Sequence, residues 1–216
     1  EFTILPKPED LTLTDFSFDA LYQAGADGII KESEDNLSSL FGTAHSFYST
    51  EGSTLAIKAM LALVSERQAD ERPLILAARN AHAAFIRAAA LLDLDVEWLY
   101  AGGAEHLCSC KITAKDVVDA LSTMKKKPRA LYGTAPDYLG NVLDISSISS
   151  VCRNYGIPLL VDNSHGAYLK FLEKDSHPIS LGAAMCADSA HKTLPCLTGA
   201  GYLHISKDAD RCFADG

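Results

Sequence analysis

Long apolar runs are missing from this 216-residue chain. The longest candidate, Ala83–Leu92, is interrupted by Arg87. It falls far short of the length of a membrane span, about 20 residues. Excess positive charge is missing too. Nineteen Lys and Arg stand against 28 Asp and Glu, a formal charge of -9. That balance argues against nucleic acid as a partner. The one basic cluster, Lys125–Lys127, reads as a solvated helix end. Paired cysteine spacing is absent as well. The six cysteines (108, 110, 152, 186, 196 and 212) contain no C-x-x-C. They provide no zinc-ligand pattern, and Cys108 and Cys110 alone make a poor metal site. The chain is 48% hydrophobic. At this length it has no need of a disulfide scaffold, and the thiols read as idle ones in a reducing cytoplasm. No secretory leader is visible. No Met opens the sequence, so Glu1 is not expected to be the natural start.

What the chain does have is alternation. Short apolar runs at Ser46–Tyr48, Pro73–Leu76, Asp95–Leu99, Arg129–Tyr132, Pro158–Val161, Ala184–Ala187 and Gly201–Ile205 read as buried strands. Helical patterns fall between most of them, at Ser53–Val64, Ala81–Leu92, Ala114–Met124 and Ile145–Asn154. This predicts an α/β fold: a mostly parallel, seven-stranded sheet flanked by helices. Residues 1–45 are set apart as an N-terminal segment with a candidate helix at Phe16–Ala24, and residues 46–216 as the sheet domain. In such sheets ligands collect beyond the carboxyl ends of the strands.

Four clusters follow strand-like runs. Thr50-Glu51-Gly52-Ser53-Thr54 opens a helix. Its free N–H groups suit a phosphate, or Ser53 is an ordinary cap. In Arg79-Asn80-Ala81-His82, Asn80 is a natural cap and His82 falls in the first turn, facing the strand ends. Asp162, in Val161-Asp162-Asn163-Ser164-His165-Gly166, ends a buried run and must find a partner, either a helix start or a cationic ligand atom. Lys192, in Asp188-Ser189-Ala190-His191-Lys192-Thr193-Leu194-Pro195, is a surface lysine or a nucleophilic amine. One ligand accounts for all four. Pyridoxal 5′-phosphate needs an amine, an anion-binding helix start, a carboxylate for its pyridine nitrogen and a flat group against its ring.

These stretches, together with Ala135-Pro136-Asp137-Tyr138-Leu139-Gly140, resemble the bacterial ornithine/lysine/arginine decarboxylases, fold-type-I pyridoxal-phosphate enzymes. The resemblance runs from about Ser46 to Ile205. Its most specific part is Ser189–Pro195; Ser-x-His-Lys occurs also in cysteine desulfurases, but the Thr-Leu-Pro continuation is decarboxylase-like. The resemblance implies a cofactor covalently anchored on Lys192, with Asp162 at the pyridine nitrogen and His82 stacked on the ring. Gly52, Ser53, Thr54, Ser189 and His191 would hold the phosphate, and His165 would stand beside the cofactor. It also implies decarboxylation of a basic amino acid (ornithine, lysine or arginine) to the amine and carbon dioxide. A cytoplasmic homodimer or higher homo-oligomer, with the active site at the subunit interface, and a small C-terminal domain beyond this sequence are implied as well. Glu51 departs from the family's usual Asn, and Ser164 from its usual Ala. The alternatives are a desulfurase or another fold-type-I lyase or transferase, and a non-catalytic regulatory paralogue.

Overall fold

The computed structural model describes residues 28–65, 72–102 and 108–209. All seven expected strands form: β1 (His45–Ser49), β2 (Leu74–Ala78), β3 (Asp95–Leu99), β4 (Ala130–Thr134), β5 (Leu159–Asp162), β6 (Met185–Asp188) and β7 (Gly201–Ile205). They make one sheet in the order β1-β7-β6-β5-β4-β2-β3. The pairs β2–β3, β2–β4, β4–β5 and β5–β6 are parallel. β7 runs antiparallel to both its neighbours, β6 and β1. The apolar runs are continuous rather than alternating because both faces of the sheet are covered.

Helix α1 (Ile29–Phe41) precedes β1 and goes beyond the sequence reading. Four further helices match the expected ones: α2 (Gly52–Val64), α3 (Ala83–Leu91), α4 (Ala114–Thr123) and α5 (Ile145–Tyr155). α2 and α3 cover one face. Ile57, Met60, Leu61 and Phe85 pack there on Ile75, Tyr132, Leu160 and Met185. α4 and α5 cover the other, where Val117, Ile148 and Cys152 meet Leu76, Leu131, Val161 and Cys186. α4 opens with a capping box between Thr113 and Asp116. α5 opens on Asp144, whose carboxylate accepts the Ser147 N–H.

α1 ends on Gly42 in a left-handed conformation. Its Phe41 is buried against His204 of β7, the ring centroids 4.3 Å apart. Two short elements are also new. A 3₁₀ turn spans Ala167–Phe171, and a single-turn helix, α6 (Ala190–Thr193), carries Lys192. The helix expected at Phe16–Ala24 lies outside the described residues. None of the helices described is long and apolar enough to cross a membrane.

Candidate active site

At the carboxyl ends of the parallel strands lies a cleft of about 280 Å³. Its lining contains every site residue expected from the sequence: Gly52, Ser53, Thr54, His82, Asp162, His165, Ser189, His191 and Lys192. Most of them come from the segments that follow β1, β5 and β6; Asp162 is the last residue of β5, and His82 follows β2. The sheet therefore assembles the site from distant parts of the chain.

The turn into α2 is held from below. Ser49 Oγ donates to the Gly52 carbonyl at 2.8 Å and accepts the Glu51 N–H at 3.2 Å. Gly52 has φ +60, and its N–H donates to the Gly199 carbonyl at 2.6 Å. A side chain at Gly201 would collide with this turn, since its Cβ would lie 2.4 Å from the Gly52 carbonyl carbon. Ser53 is not the helix cap: Glu51 occupies that position, and its side chain makes no capping hydrogen bond. The positive end of α2 thus faces the cleft, as an anion requires.

The cap of α3 also differs from expectation. It is His82 itself, whose Nδ1 accepts the Ala84 N–H at 3.1 Å, and not Asn80. An extended backbone at His82 places the residue outside the helix and on the cleft wall. Its ring lies 6.5 Å from that of Tyr138. With Nδ1 an acceptor, the ring presents a flat Nε2–H imidazole suited to stacking.

Asp162 is buried, 2% exposed. Its Oδ2 accepts from the Tyr132 hydroxyl at 3.2 Å. Oδ1 accepts the Ser164 N–H at 3.1 Å and also the Ser164 hydroxyl in a short contact. The bond to Ser164 N–H closes a turn two residues on, not a helix start. Burial beside this carboxylate pushes the Tyr132 phenol well above its ordinary range, so Tyr132 remains a donor.

Lys192 Nζ lies 3.3 Å from His165 Nε2. Partial burial and the neighbouring Lys192 hold the His165 imidazole below its ordinary pKa, outweighing the pull of Asp162. His165 is therefore a neutral acceptor for the lysine. Its ring meets Tyr138 edge to face at 5.1 Å. His191 donates Nδ1–H to the Ala200 carbonyl at 2.8 Å, which leaves Nε2 for the cleft.

Beneath the lysine helix sits a second, fully buried polar cluster. Asp188 Oδ2 lies 3.0 Å from His177 Nε2 and 3.5 Å from His204 Nε2. Asp188 Oδ1 accepts from Asn163 Nδ2 at 2.7 Å and from the Cys186 thiol at 3.3 Å. Burial alone would raise the Asp188 carboxyl, but the two imidazoles hold it far below the usual carboxylate range. The three donor atoms lie within 4.8 Å of one another, close enough for a metal ion. However, His177 Nδ1 accepts the Ile179 N–H at 3.4 Å, which puts the ring proton on Nε2 and commits that nitrogen to Asp188. The cluster is a hydrogen-bonded support for the strand end that carries Ser189.

The cleft wall also holds residues not expected from the sequence, among them Thr134 and Tyr138. Thr134 ends β4 and lines the cleft, its buried Oγ1 without a hydrogen-bond partner. Tyr138 stands beside His82 and His165. An orphaned hydroxyl, an uncapped helix start and a buried carboxylate in one cleft fit a ligand with an anionic end and a polar ring. Pyridoxal 5′-phosphate has both.

A seven-stranded, mostly parallel sheet with a lysine on the turn after β6 is the large-domain fold of the fold-type-I pyridoxal-phosphate enzymes. The likeness of fold extends to a solved SepCysS–SepCysE N-terminal domain complex, with a TM-score of 0.69 at 17% identity, covering 91% of this chain and 53% of that one. The sequence matches the description "Orn/Lys/Arg decarboxylase, major domain" over residues 8–214, and the chain belongs to that family. It is 34% identical over 186 residues to the uncharacterized protein YaaO of Bacillus subtilis, covering 83% of this chain and 37% of YaaO. An arginine decarboxylase of Bacillus cereus is 31% identical over 184 residues, 83% of this chain and 38% of that one. An L-aspartate decarboxylase of Thermococcus kodakarensis is 30% identical over 150 residues, 67% of this chain and 36% of that one. The chain thus spans well under half the length of these relatives.

Proposed function

We propose that the protein containing this chain is a pyridoxal-phosphate-dependent decarboxylase of a basic amino acid: ornithine, lysine or arginine. The observation that carries this reading is the convergence of Lys192, Asp162 and the uncapped start of α2 on one cleft. The relatives named arginine decarboxylase support the substrate class. The relative named L-aspartate decarboxylase marks substrate choice as the point to test.

When bound, the cofactor supplies an electron-poor ring that takes up the electron pair left as carbon dioxide departs from Cα. The chain's residues divide the remaining work. The start of α2 beyond the Gly52 N–H, which is committed to Gly199, would bind the phosphate together with the hydroxyls of Ser53, Thr54 and Ser189. Asp162 holds the proton of the ring nitrogen. The flat imidazole of His82 covers one ring face. Lys192 Nζ would hold the cofactor's aldehyde carbon, and neutral His165, 3.3 Å away, would accept the proton that Nζ must lose to become a nucleophile. Overall the Cα–carboxylate bond breaks and a proton is delivered to Cα, with Lys192 or His165 as its source.

Sulfur transfer from cysteine fits less well, because among the described residues no cysteine lines the cleft. The reading includes a second subunit. Tyr138 on the cleft wall and, in the chain just after it, Leu139 and Val142 are 56%, 62% and 50% exposed. They form an apolar rim that a second copy would cover. The test is carbon dioxide release by the natural full-length protein from a panel of amino acids, with and without added pyridoxal 5′-phosphate. Cofactor-dependent release from arginine, lysine or ornithine supports the proposal. Release from aspartate alone replaces the substrate class, and cofactor binding without release from any amino acid points to a regulatory paralogue.

A further inference from the structure

Three serines link the anion end of the cleft to its carboxylate end. Ser189 Oγ lies 2.8 Å from Ser53 Oγ, Ser53 Oγ lies 2.6 Å from Ser164 Oγ, and Ser164 Oγ is in short contact with Asp162 Oδ1. The serines and the aspartate are all buried, from 2% to 8% exposed. Each hydroxyl has one proton to give. A carboxylate only accepts, so the Ser164 proton goes to Asp162. Ser164 Oγ then accepts, which commits the Ser53 proton to it. Ser53 Oγ accepts in turn, which commits the Ser189 proton. Ser189 Oγ closes the chain by accepting the Ser53 N–H at 3.3 Å. Every hydroxyl proton is directed at Asp162, and none is left for an anion at the start of α2.

We propose that this hydroxyl chain couples anion binding at the start of α2 to the negative charge that Asp162 presents to the pyridine ring, with Ser164 as the positioning residue that closes the circuit. The inference rests on the cofactor reading above and goes beyond it, because it makes the two ends of the site interdependent. A phosphate arriving at Gly52–Thr54 draws the Ser53 and Ser189 hydroxyls to itself as hydrogen-bond donors. Ser164 then loses the donor that polarised its own hydroxyl, and its hydrogen bond to Asp162 weakens, since bonds in a chain reinforce one another. Less of the carboxylate charge is neutralised, so the ring nitrogen holds its proton more tightly. Coupling of this kind is reciprocal: a protonated ring at Asp162 favours the phosphate. The bonds that Asp162 accepts from the Tyr132 hydroxyl and the Ser164 N–H lie outside the hydroxyl chain and are unaffected by the switch.

The experiment splits the cofactor in two. Apoprotein of natural full length is loaded with ¹⁵N-labelled pyridoxal, which lacks the phosphate, and inorganic phosphate is titrated in. The ring-nitrogen chemical shift against pH gives the pKa of the bound ring. In the wild type, saturating phosphate raises that pKa. In Ser164→Ala the ring pKa starts higher, and the phosphate-induced rise falls to less than half; what remains is direct attraction between phosphate and ring. Ser53→Ala cuts the chain one link earlier and loses the same share, which keeps the test open if the first variant does not fold. An equal phosphate-induced rise in wild type and Ser164→Ala, with phosphate bound in both, overturns the coupling and leaves the cofactor reading intact. Failure of pyridoxal and pyridoxal 5′-phosphate alike to bind the wild type overturns both.

Discussion

Lys192 Nζ and His165 Nε2 stand 3.3 Å apart, joining the turn after β6 to the turn after β5 across the mouth of the cleft. His165 is held neutral by burial and by the lysine, so its Nε2 faces the lysine amine as a hydrogen-bond acceptor. His165→Asn should keep the cofactor bound while lowering turnover by about 10²-fold, within the range for a positioned acid or base. Steady-state kinetics together with cofactor titration checks this. Unchanged turnover would remove His165 from the chemistry.

Lys192→Ala should abolish covalent attachment of the cofactor and reduce turnover by about 10³-fold or more. Lys192 is exposed at the cleft, so the fold should survive its loss. In the unaltered protein, borohydride treatment followed by peptide mass spectrometry should place the label on the peptide containing Lys192. A label on another lysine contradicts the assignment.

Asp162→Ala and Asp162→Asn should separate chemistry from stability. The alanine variant strands the buried hydroxyl of Tyr132 and also removes the carboxylate proposed to partner the ring nitrogen. Leaving that hydroxyl unpaired costs about 1–3 kcal/mol. The asparagine variant keeps the shape and an acceptor oxygen but loses the charge. Both should turn over poorly, and the alanine variant should unfold markedly earlier in denaturant than the asparagine one. Equal turnover in the asparagine variant and the wild type would show that the carboxylate charge is dispensable.

Gly201→Ala tests the close approach of β7 to the anion turn. The added Cβ meets backbone that cannot swing aside. Overpacking of this kind costs about 1–3 kcal/mol. Thermal melting should show the loss, and inorganic phosphate should bind more weakly as the Gly52 turn is displaced. Wild-type stability and phosphate affinity would mean that the turn gives way easily.

The buried His204 imidazole is held below its ordinary value of 6.5 by desolvation, outweighing Asp188. Just below pH 6.5 the folded state therefore binds fewer protons at this site than the unfolded state does. The site's contribution to stability is complete above that pH and declines as pH falls below it. Asp188, held low, stays charged throughout this window and loses its contribution only below its ordinary 3.8. Melting temperatures should fall between pH 7 and pH 5, and His204→Gln should flatten that slope. An unchanged slope in the variant would assign the pH dependence elsewhere.

The sheet is legible in the sequence because parallel strands covered on both faces are continuous apolar runs, and each of the seven lies close to its expected bounds. Helix α1 is not legible. Ile29–Phe41 mixes Lys, Glu, Asp and Ser among few apolar residues, and its burial depends on Phe41 finding β7 from far along the chain. The direction of β7 is likewise a tertiary fact with no local signature. α6 is a single turn, too short to show periodicity. In the site, the expected residues are readable as blocks of motif. Thr134 is hidden because a hydroxyl residue ending a strand looks like any other strand residue. His82 takes the cap position expected of Asn80, because only the observed backbone decides where the helix begins.

The reversal at β7 has a mechanical consequence. A parallel strand in that position would require the chain to return along the whole length of the sheet before re-entering it. Because β7 runs the other way, it starts at the edge where β6 stops, and the stretch from Lys192 to Gly201 is a short loop tied down at both ends. Its Gly199 carbonyl takes the Gly52 N–H, and its Ala200 carbonyl takes the backbone N–H and the ring of His191. Lys192 and the Gly52 turn are therefore parts of one stiff bracket. The entropy of arranging them is lost once, when the chain folds, and does not have to be lost again at each binding event.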